Sequence, residues 1–302
     1  MKYAAGLDGG GTKTAVTIVD GQGREIRSFV SGAINYNGQD EESVRRSLEE
    51  IFRTIGEACR GLANCARVCI AAAGVSNPSV APKLTSLARS CGYAGELTIV
   101  GDQEAALVGA HEGASGIILI AGTGSICYGR NEAGETHRAG GCGYLIDDEG
   151  SGYSIGRDLL AAVVRMHDGR LPPTAIAPLV YERLKTDSVR ELIAFVHHRN
   201  TNKRDIAALA SLLSDACDAG DAAALAIARR SAESLRELVL PVANKLILRR
   251  GSLALAGSVL LRNRYVREEL LTLLRLDLPE LNVYPARKDA AWGAVRIALG
   301  DQ

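Results

Sequence analysis

The chain has 302 residues, 47% hydrophobic, 23% charged and only 4% aromatic, the profile of an ordinary globular enzyme long enough for two domains. Lys+Arg and Asp+Glu number 35 each, and that balance gives no electrostatic footprint for nucleic acid or an anionic membrane. Apolar runs are strand-length, short of the ~20 residues a membrane helix needs. Met1-Lys2-Tyr3-Ala4 leads into a strand without a signal peptide, and seven scattered cysteines lack any Cys-x-x-Cys pair. Free thiols in a reducing cytoplasm are the expectation.

Residues 3–8, 12–20 and 24–30 read as a three-stranded meander, with Asp20-Gly21-Gln22-Gly23 turning the last pair. Val44, Leu48, Ile51, Phe52 and Ile55 recur at helical spacing within 41–59. A strand at 68–72, a helix near 79–91, a strand at 97–100 and a helix from Asp102 to about Glu112 follow. A second meander is expected at 116–121, 125–130 and 134–138. Residues 153–250 look helical, then come a strand at 253–256, a helix near 261–274, a short strand at 283–284 and a closing helix over 289–299. The pattern is an α/β chain that repeats one βββαβα unit, its second copy swollen by a helical insertion.

Two segments stand out. Gly6-Leu7-Asp8-Gly9-Gly10-Gly11-Thr12-Lys13-Thr14 and Ile120-Ala121-Gly122-Thr123-Gly124-Ser125-Ile126 each join two apolar strands through a Gly/Thr/Ser turn. Glycines let the backbone lie against a bulky anion, and free N–H and hydroxyl groups bond phosphate oxygens. Two such turns suggest a cleft that grips a polyphosphate. Asp8 reads either as a turn-stabilising residue or as a Mg²⁺ ligand, since Mg²⁺ keeps most of its waters and needs one or two carboxylates.

Asp102 follows a strand end, where open α/β sheets put ligands. It could cap the next helix or take a proton from a bound hydroxyl. Asp147-Asp148-Glu149 before Gly150-Ser151-Gly152 reads as capping chemistry or as a grip on sugar hydroxyls. Asn35-Tyr36-Asn37 is a plain turn or a second polar lip. Gly257-Ser258 is a packing turn or a rest for a nucleoside.

Together these motifs resemble the actin-like ATPase superfamily, and most closely its N-acetylglucosamine kinase branch, the BadF/BadG/BcrA/BcrD ATPase family. The resemblance spans nearly the whole chain. It implies two actin-like (ribonuclease H-like) domains with mixed sheets flanked by helices, at 1–112 with 287–302 and at 113–286. It implies domain closure on ATP, Mg²⁺ and an amino sugar, N-acetylglucosamine or glucosamine, with transfer of the γ-phosphoryl to the 6-hydroxyl. Asp102 would be the general base and Asp8 the metal ligand. Gly10, Gly11, Thr12, Lys13, Gly122, Thr123 and Gly124 would meet phosphates; Gly257, Ser258 and Leu261 would meet the nucleoside. Asn35, Tyr36, Ser125, Ile126, Gly141, Cys142, Gly143 and Asp148 would line the sugar site. Relatives form dimers, so a homodimer is among the implied states.

The departures bear on substrate. The vertebrate-type enzyme carries tryptophan at the place of Cys142 and His-Trp at the place of Tyr36-Asn37, and Asp147 replaces a glycine. A wider pocket is expected, and Asp147 is expected to meet a cationic amine. N-acetylmuramic acid could enter too, although no arginine near Cys142 offers its carboxylate a partner; glucose is a further alternative. A dehydratase-activating ATPase would need paired cysteines for an iron–sulfur cluster, and a sugar-sensing regulator would need a basic helix-turn-helix; the sequence has neither.

Overall fold

The computed structural model describes residues 2–300 apart from Thr12, 37–39, Ser76 and Ala114. The chain divides into two units, residues 1–115 with 286–302, and residues 116–285. The second unit starts where its first strand starts.

In the first unit, β1 (Tyr3–Gly9), β2 (Lys13–Val19) and β3 (Glu25–Gly32) form the meander. Next come α1 (Glu41–Ala58), β4 (Cys65–Ala72), α2 (Val80–Ser90), β5 (Glu96–Gly101) and α3 (Asp102–His111). The sheet runs β3-β2-β1-β4-β5, with β1, β4 and β5 parallel. Parallel strands are buried on both faces, and the side chains obey that rule. Ala5, Leu7, Val68, Ile70 and Ala72 face one cluster with the α1 stripe Val44, Leu48, Ile51, Phe52 and Ile55. Ala4, Cys69 and Ala71 face a second cluster with Ala105, Val108, Ala294 and Val295. Each fully buried Val, Leu, Ile or Phe stabilises the fold by about 1.5–3 kcal/mol. Asp40 starts α1 by accepting the Ser43 N–H at 2.9 Å.

The second unit repeats the order. β6 (Gly116–Ala121), β7 (Ser125–Arg130) and β8 (Thr136–Gly140) form its meander. The helical insert holds α4 (Gly152–His167), α5 (Ile176–Leu184), α6 (Val189–Val196), α7 (Lys203–Ala207), α8 (Leu212–Asp218) and α9 (Ala222–Lys245), with a 3₁₀ turn at Ala208–Ser211. β9 (Ser252–Ala256), α10 (Ser258–Arg262), α11 (Arg264–Asp277) and β10 (Asn282–Pro285) complete it. The sheet order β10-β9-β6-β7-β8 mirrors the first. The last helix, α12 (Ala290–Leu299), returns to the first unit.

Several boundaries differ from the sequence reading, β4 starting three residues early at Cys65 and β3 ending two late at Gly32, and two of the differences have a clear local cause. β8 begins two residues late because Asn131 closes the turn, its Oδ1 accepting the Glu135 N–H at 3.0 Å. The helix expected near 261–274 is two helices. Asn263 is extended between them and caps the second with Oδ1 on the Val266 N–H at 3.1 Å. No helix among the described residues is long and apolar enough to cross a membrane, and the seven cysteines are free.

Candidate functional site

In the first unit, α12 lies directly on β1 and α3. A side chain at Gly6 would strike the Ala291 carbonyl, and one at Gly293 would strike the Ala105 carbonyl. This close crossing brings the helix start at Asp289 towards the strand ends that carry Asp8 and Asp102. Burial, followed by the charges of Asp102 and Asp289, pushes the Asp8 carboxyl up to about 6, with Lys13 opposing. Asp289 was legible only as a helix start, and its Oδ1 does cap α12 on the Trp292 N–H. Among the described residues no group of three or more carboxylate, histidine or cysteine side chains is placed to hold a metal ion, so Asp8 is a single half-buried carboxylate in the field of Asp102, Asp289 and Lys13.

Asp102 is not the helix cap. Gly101 holds the N-cap position, and Glu104 reaches back to accept its N–H at 3.2 Å. Asp102 opens the first turn, with Oδ1 accepting the Gln103 N–H at 3.0 Å. The capping reading therefore passes to Glu104. In the first glycine turn, the Gly10 N–H donates to the Lys13 carbonyl at 3.1 Å and, more weakly, to Asp8 O at 3.3 Å. Gly11 follows in the same bend. Thr12 lies outside the described residues. The Tyr36 hydroxyl is buried with no partner among the described residues, and Lys83 sits 5.1 Å from the ring centroid; Asn35 is half-buried beside it.

The second unit assembles its turn more tightly. The N–H groups of Gly152 and Tyr153, at the start of α4, donate to the carbonyls of Gly122 and Thr123 at 2.7 and 3.3 Å. The Gly122 N–H is spent on Gly124 O. Among the described residues the N–H groups of Thr123 and Gly124 have no intramolecular acceptor, so a nest of donors faces outward.

Asp148 is only 4% exposed and holds a left-handed φ of 67°, unusual for a residue with a Cβ. Its Oδ1 accepts the Ser125 N–H at 3.0 Å, and the second oxygen has no partner among the described residues. Burial raises its pKa, while the Ser125 bond and the charge of Lys203 act against that. Of the two readings open for the three acids, capping of α4 does not hold. Ser151 does, through Oγ on the Ser154 N–H. Asp147 accepts the Cys142 N–H at 2.9 Å and closes the 142–147 loop; Glu149 pairs with Arg157 at 3.0 Å.

Ser125 is buried and its donors are committed, N–H to Asp148 and Oγ to Glu149 O at 2.7 Å. It positions the carboxylate and has no proton left for a sugar. Gly141 packs on Ile126, where a Cβ would approach Cδ1 to 2.8 Å, and Cys142 and Gly143 sit in the exposed loop. A Cβ at Gly124 would stand 2.8 Å from the Asp148 carboxylate. Gly124→Ala is accordingly expected to cut kcat/KM for the sugar at least ~10-fold through displacement of a buried charge-assisted bond. Melting temperature should move little, and comparing the two readouts checks this.

Beside the turn lies a cavity of about 500 Å³, ample for a nucleoside. Gly122, Thr123, Ser258, Val259, Arg262 and Asn263 line one side; Ala207, Ala208, Ser211 and Ser214 line the other. Gly257, at φ +88°, lets the β9 end press on Ala121 but does not line the cavity, and neither does Leu261, which is half exposed. The wall from α7 to α8 was missed in the sequence, since small residues carry no chemical flag. Asn263 carried the signal of an N-cap only. Its Nδ2 is buried with no acceptor among the described residues, and a purine nucleotide, rich in acceptors, suits such a donor. The residues present thus fit ATP.

The profile of the BadF/BadG/BcrA/BcrD ATPase family matches residues 5–298. The chain belongs to that family. Among its relatives, an N-acetylmuramic acid/N-acetylglucosamine kinase from Clostridium acetobutylicum is 35% identical over 100% of this chain and 99% of its own length. An N-acetyl-D-glucosamine kinase from Dictyostelium discoideum is 27% identical over 98% of each chain. A Chromobacterium violaceum structure, provisionally named an N-acetylglucosamine kinase, superposes with a TM-score of 0.79 at 24% identity over 99% of each chain. The last shows that this BadF/BadG-family member has the expected two-unit fold.

Proposed function

We propose that the chain is an ATP-dependent kinase of amino sugars, transferring the γ-phosphoryl group to the 6-hydroxyl of N-acetylglucosamine or glucosamine. One observation carries this reading: the buried Asp148 carboxylate, with one oxygen unspent, lies against the donor turn Gly122–Ser125, which itself borders a nucleoside-sized cavity. A carboxylate for hydroxyls beside N–H groups for phosphate is what phosphoryl transfer to a sugar requires. The name of the Clostridium relative supports N-acetylmuramic acid as a second substrate.

ATP with Mg²⁺ supplies the phosphoryl group and neutralises its charge. The protein's part is positioning and electrostatics. Asp148 orients the sugar by accepting a hydrogen bond from a sugar hydroxyl. The N–H groups of Thr123 and Gly124, which have no acceptor among the described residues, stabilise negative charge; in the first unit Lys13 adds its ammonium, and Gly10 and Gly11 let the backbone lie close to a phosphate. Asp8 is the carboxylate that would hold the metal, directly or through its waters. Asp102, at the first position of α3 past the strand end, accepts the proton of the attacking hydroxyl.

The test is coupled ADP release across glucose, glucosamine, N-acetylglucosamine, N-acetylmuramic acid and mannose. The expected result is turnover that depends on an amino sugar. ATP hydrolysis indifferent to any sugar would reject the reading in favour of a plain ATPase.

A further inference from the structure

We propose that Lys203 recognises an anionic substituent on the amino sugar, so that a hexosamine bearing a carboxylate-tipped ether arm, as in N-acetylmuramic acid, is a substrate of the same site. This rests on the kinase reading above and names the sugars that site accepts.

Arg138, four residues before Cys142, is exposed on β8, and the fold brings a second cation from elsewhere. Lys203 opens α7 in the helical insert, and its backbone is fixed by a reciprocal cap. Asn202 Oδ1 accepts the Arg204 N–H at 2.9 Å, and Asp205 Oδ2 accepts the Asn202 N–H at 2.8 Å. The ammonium lies 5.8 Å from the centroid of the Tyr144 ring, which packs edge-on against Tyr153 at 4.8 Å. Its charge is felt by the buried Asp148. The ammonium thus stands over the loop 143–148, beside the carboxylate assigned to the sugar.

The surrounding charges make this placement specific. Asp147, Asp148 and Glu149 would repel an anionic sugar unless a cation offset them. Arg157 is taken by Glu149 at 3.0 Å and Asp158 at 3.3 Å. Asp147 is turned onto the Cys142 N–H, and Asp148 onto the Ser125 N–H. Lys203, among the described residues, has no ion pair. It is an exposed cation set on an aromatic face at the sugar loop, within the field of Asp148 but ion-paired to no carboxylate among the described residues. A flexible lysine stem also reaches a substrate arm without rigid geometry. A merely structural lysine, covering Tyr144 and offsetting Asp148, would act on every sugar alike.

The experiment measures kcat/KM for N-acetylmuramic acid and for N-acetylglucosamine in wild type, Lys203→Met and Lys203→Arg, at low and high salt. Methionine keeps the apolar cover on Tyr144 and removes the charge. In Lys203→Met the ratio of the two constants, N-acetylmuramic acid over N-acetylglucosamine, should fall about 10- to 100-fold, as for loss of a charge-assisted bond. Arginine should restore most of it, and salt should lower the wild-type ratio. Equal losses on both sugars, an unchanged ratio, or wild type acting on N-acetylglucosamine but not on N-acetylmuramic acid would each overturn the assignment and leave the kinase reading standing. Wild type inert towards both sugars would overturn the kinase reading as well.

Discussion

Asp102→Asn is expected to lower kcat by at least ~10³, within the range that a positioned general base contributes, with the KM for ATP little changed. Asparagine is isosteric with aspartate and keeps an oxygen for the Gln103 N–H that Oδ1 now accepts. Glu104 holds the helix cap, so α3 should start unaltered. What disappears is the ability to take a proton from the attacking hydroxyl. Steady-state kinetics with both substrates varied check this, with a melting curve to show that the fold is intact. Turnover within a few-fold of wild type would remove Asp102 from the mechanism.

Asp8→Asn should have effects of opposite sign on stability and activity. The Asp8 carboxyl titrates at about 6 in the folded chain against 3.8 ordinarily. An acid whose folded pKa is raised costs nothing below the unfolded value. The cost grows from about pH 4 to pH 6 and is complete above that. Converted at 1.36 kcal/mol per unit, it is on the order of 2–3 kcal/mol. Asparagine abolishes the buried charge, and it also relieves the repulsion from Asp102 and Asp289. The metal-free variant should therefore melt several degrees higher than wild type at neutral pH, and the gap should close below about pH 4. Its activity should nevertheless fall at least ~10², since a carboxylate positioning Mg²⁺ is worth several kcal/mol in the transition state. The shift in melting temperature produced by Mg²⁺-ATP should shrink likewise. Lower stability at neutral pH together with undiminished turnover would contradict the assignment.

The sequence made the architecture legible because both kinds of signal it rests on are local. Period-two and period-3.6 patterns marked the strands and helices, and glycine turns marked the two places to which we assign the phosphates. Asp148 could be singled out as an acid on a glycine-rich loop, but its left-handed φ and its bond to Ser125 depend on β7 lying beside that loop. Partners chosen across long sequence distances were out of reach. Glu104 rather than Asp102 caps α3, and Ser151 rather than the preceding acids caps α4, because each hydroxyl or carboxylate had two plausible bonds and only packing decides. Asp289 looked like a helix start and became the third acid around Asp8 through the glycine-lined crossing of α12 with α3. The cavity wall at Ala207, Ala208, Ser211 and Ser214 left no trace, as small side chains advertise shape only after folding. Lys203 was one lysine among 35 basic residues until α7 brought it to Tyr144.

The most direct measurement is the stoichiometry and position of phosphate in the product. Purified protein with ATP, Mg²⁺ and N-acetylglucosamine should release one ADP per sugar phosphorylated, with phosphorus–proton coupling to the C6 methylene in the NMR spectrum and no ATP loss without sugar. Phosphate on the anomeric carbon, or ATP consumed at the same rate with the sugar omitted, would contradict the account.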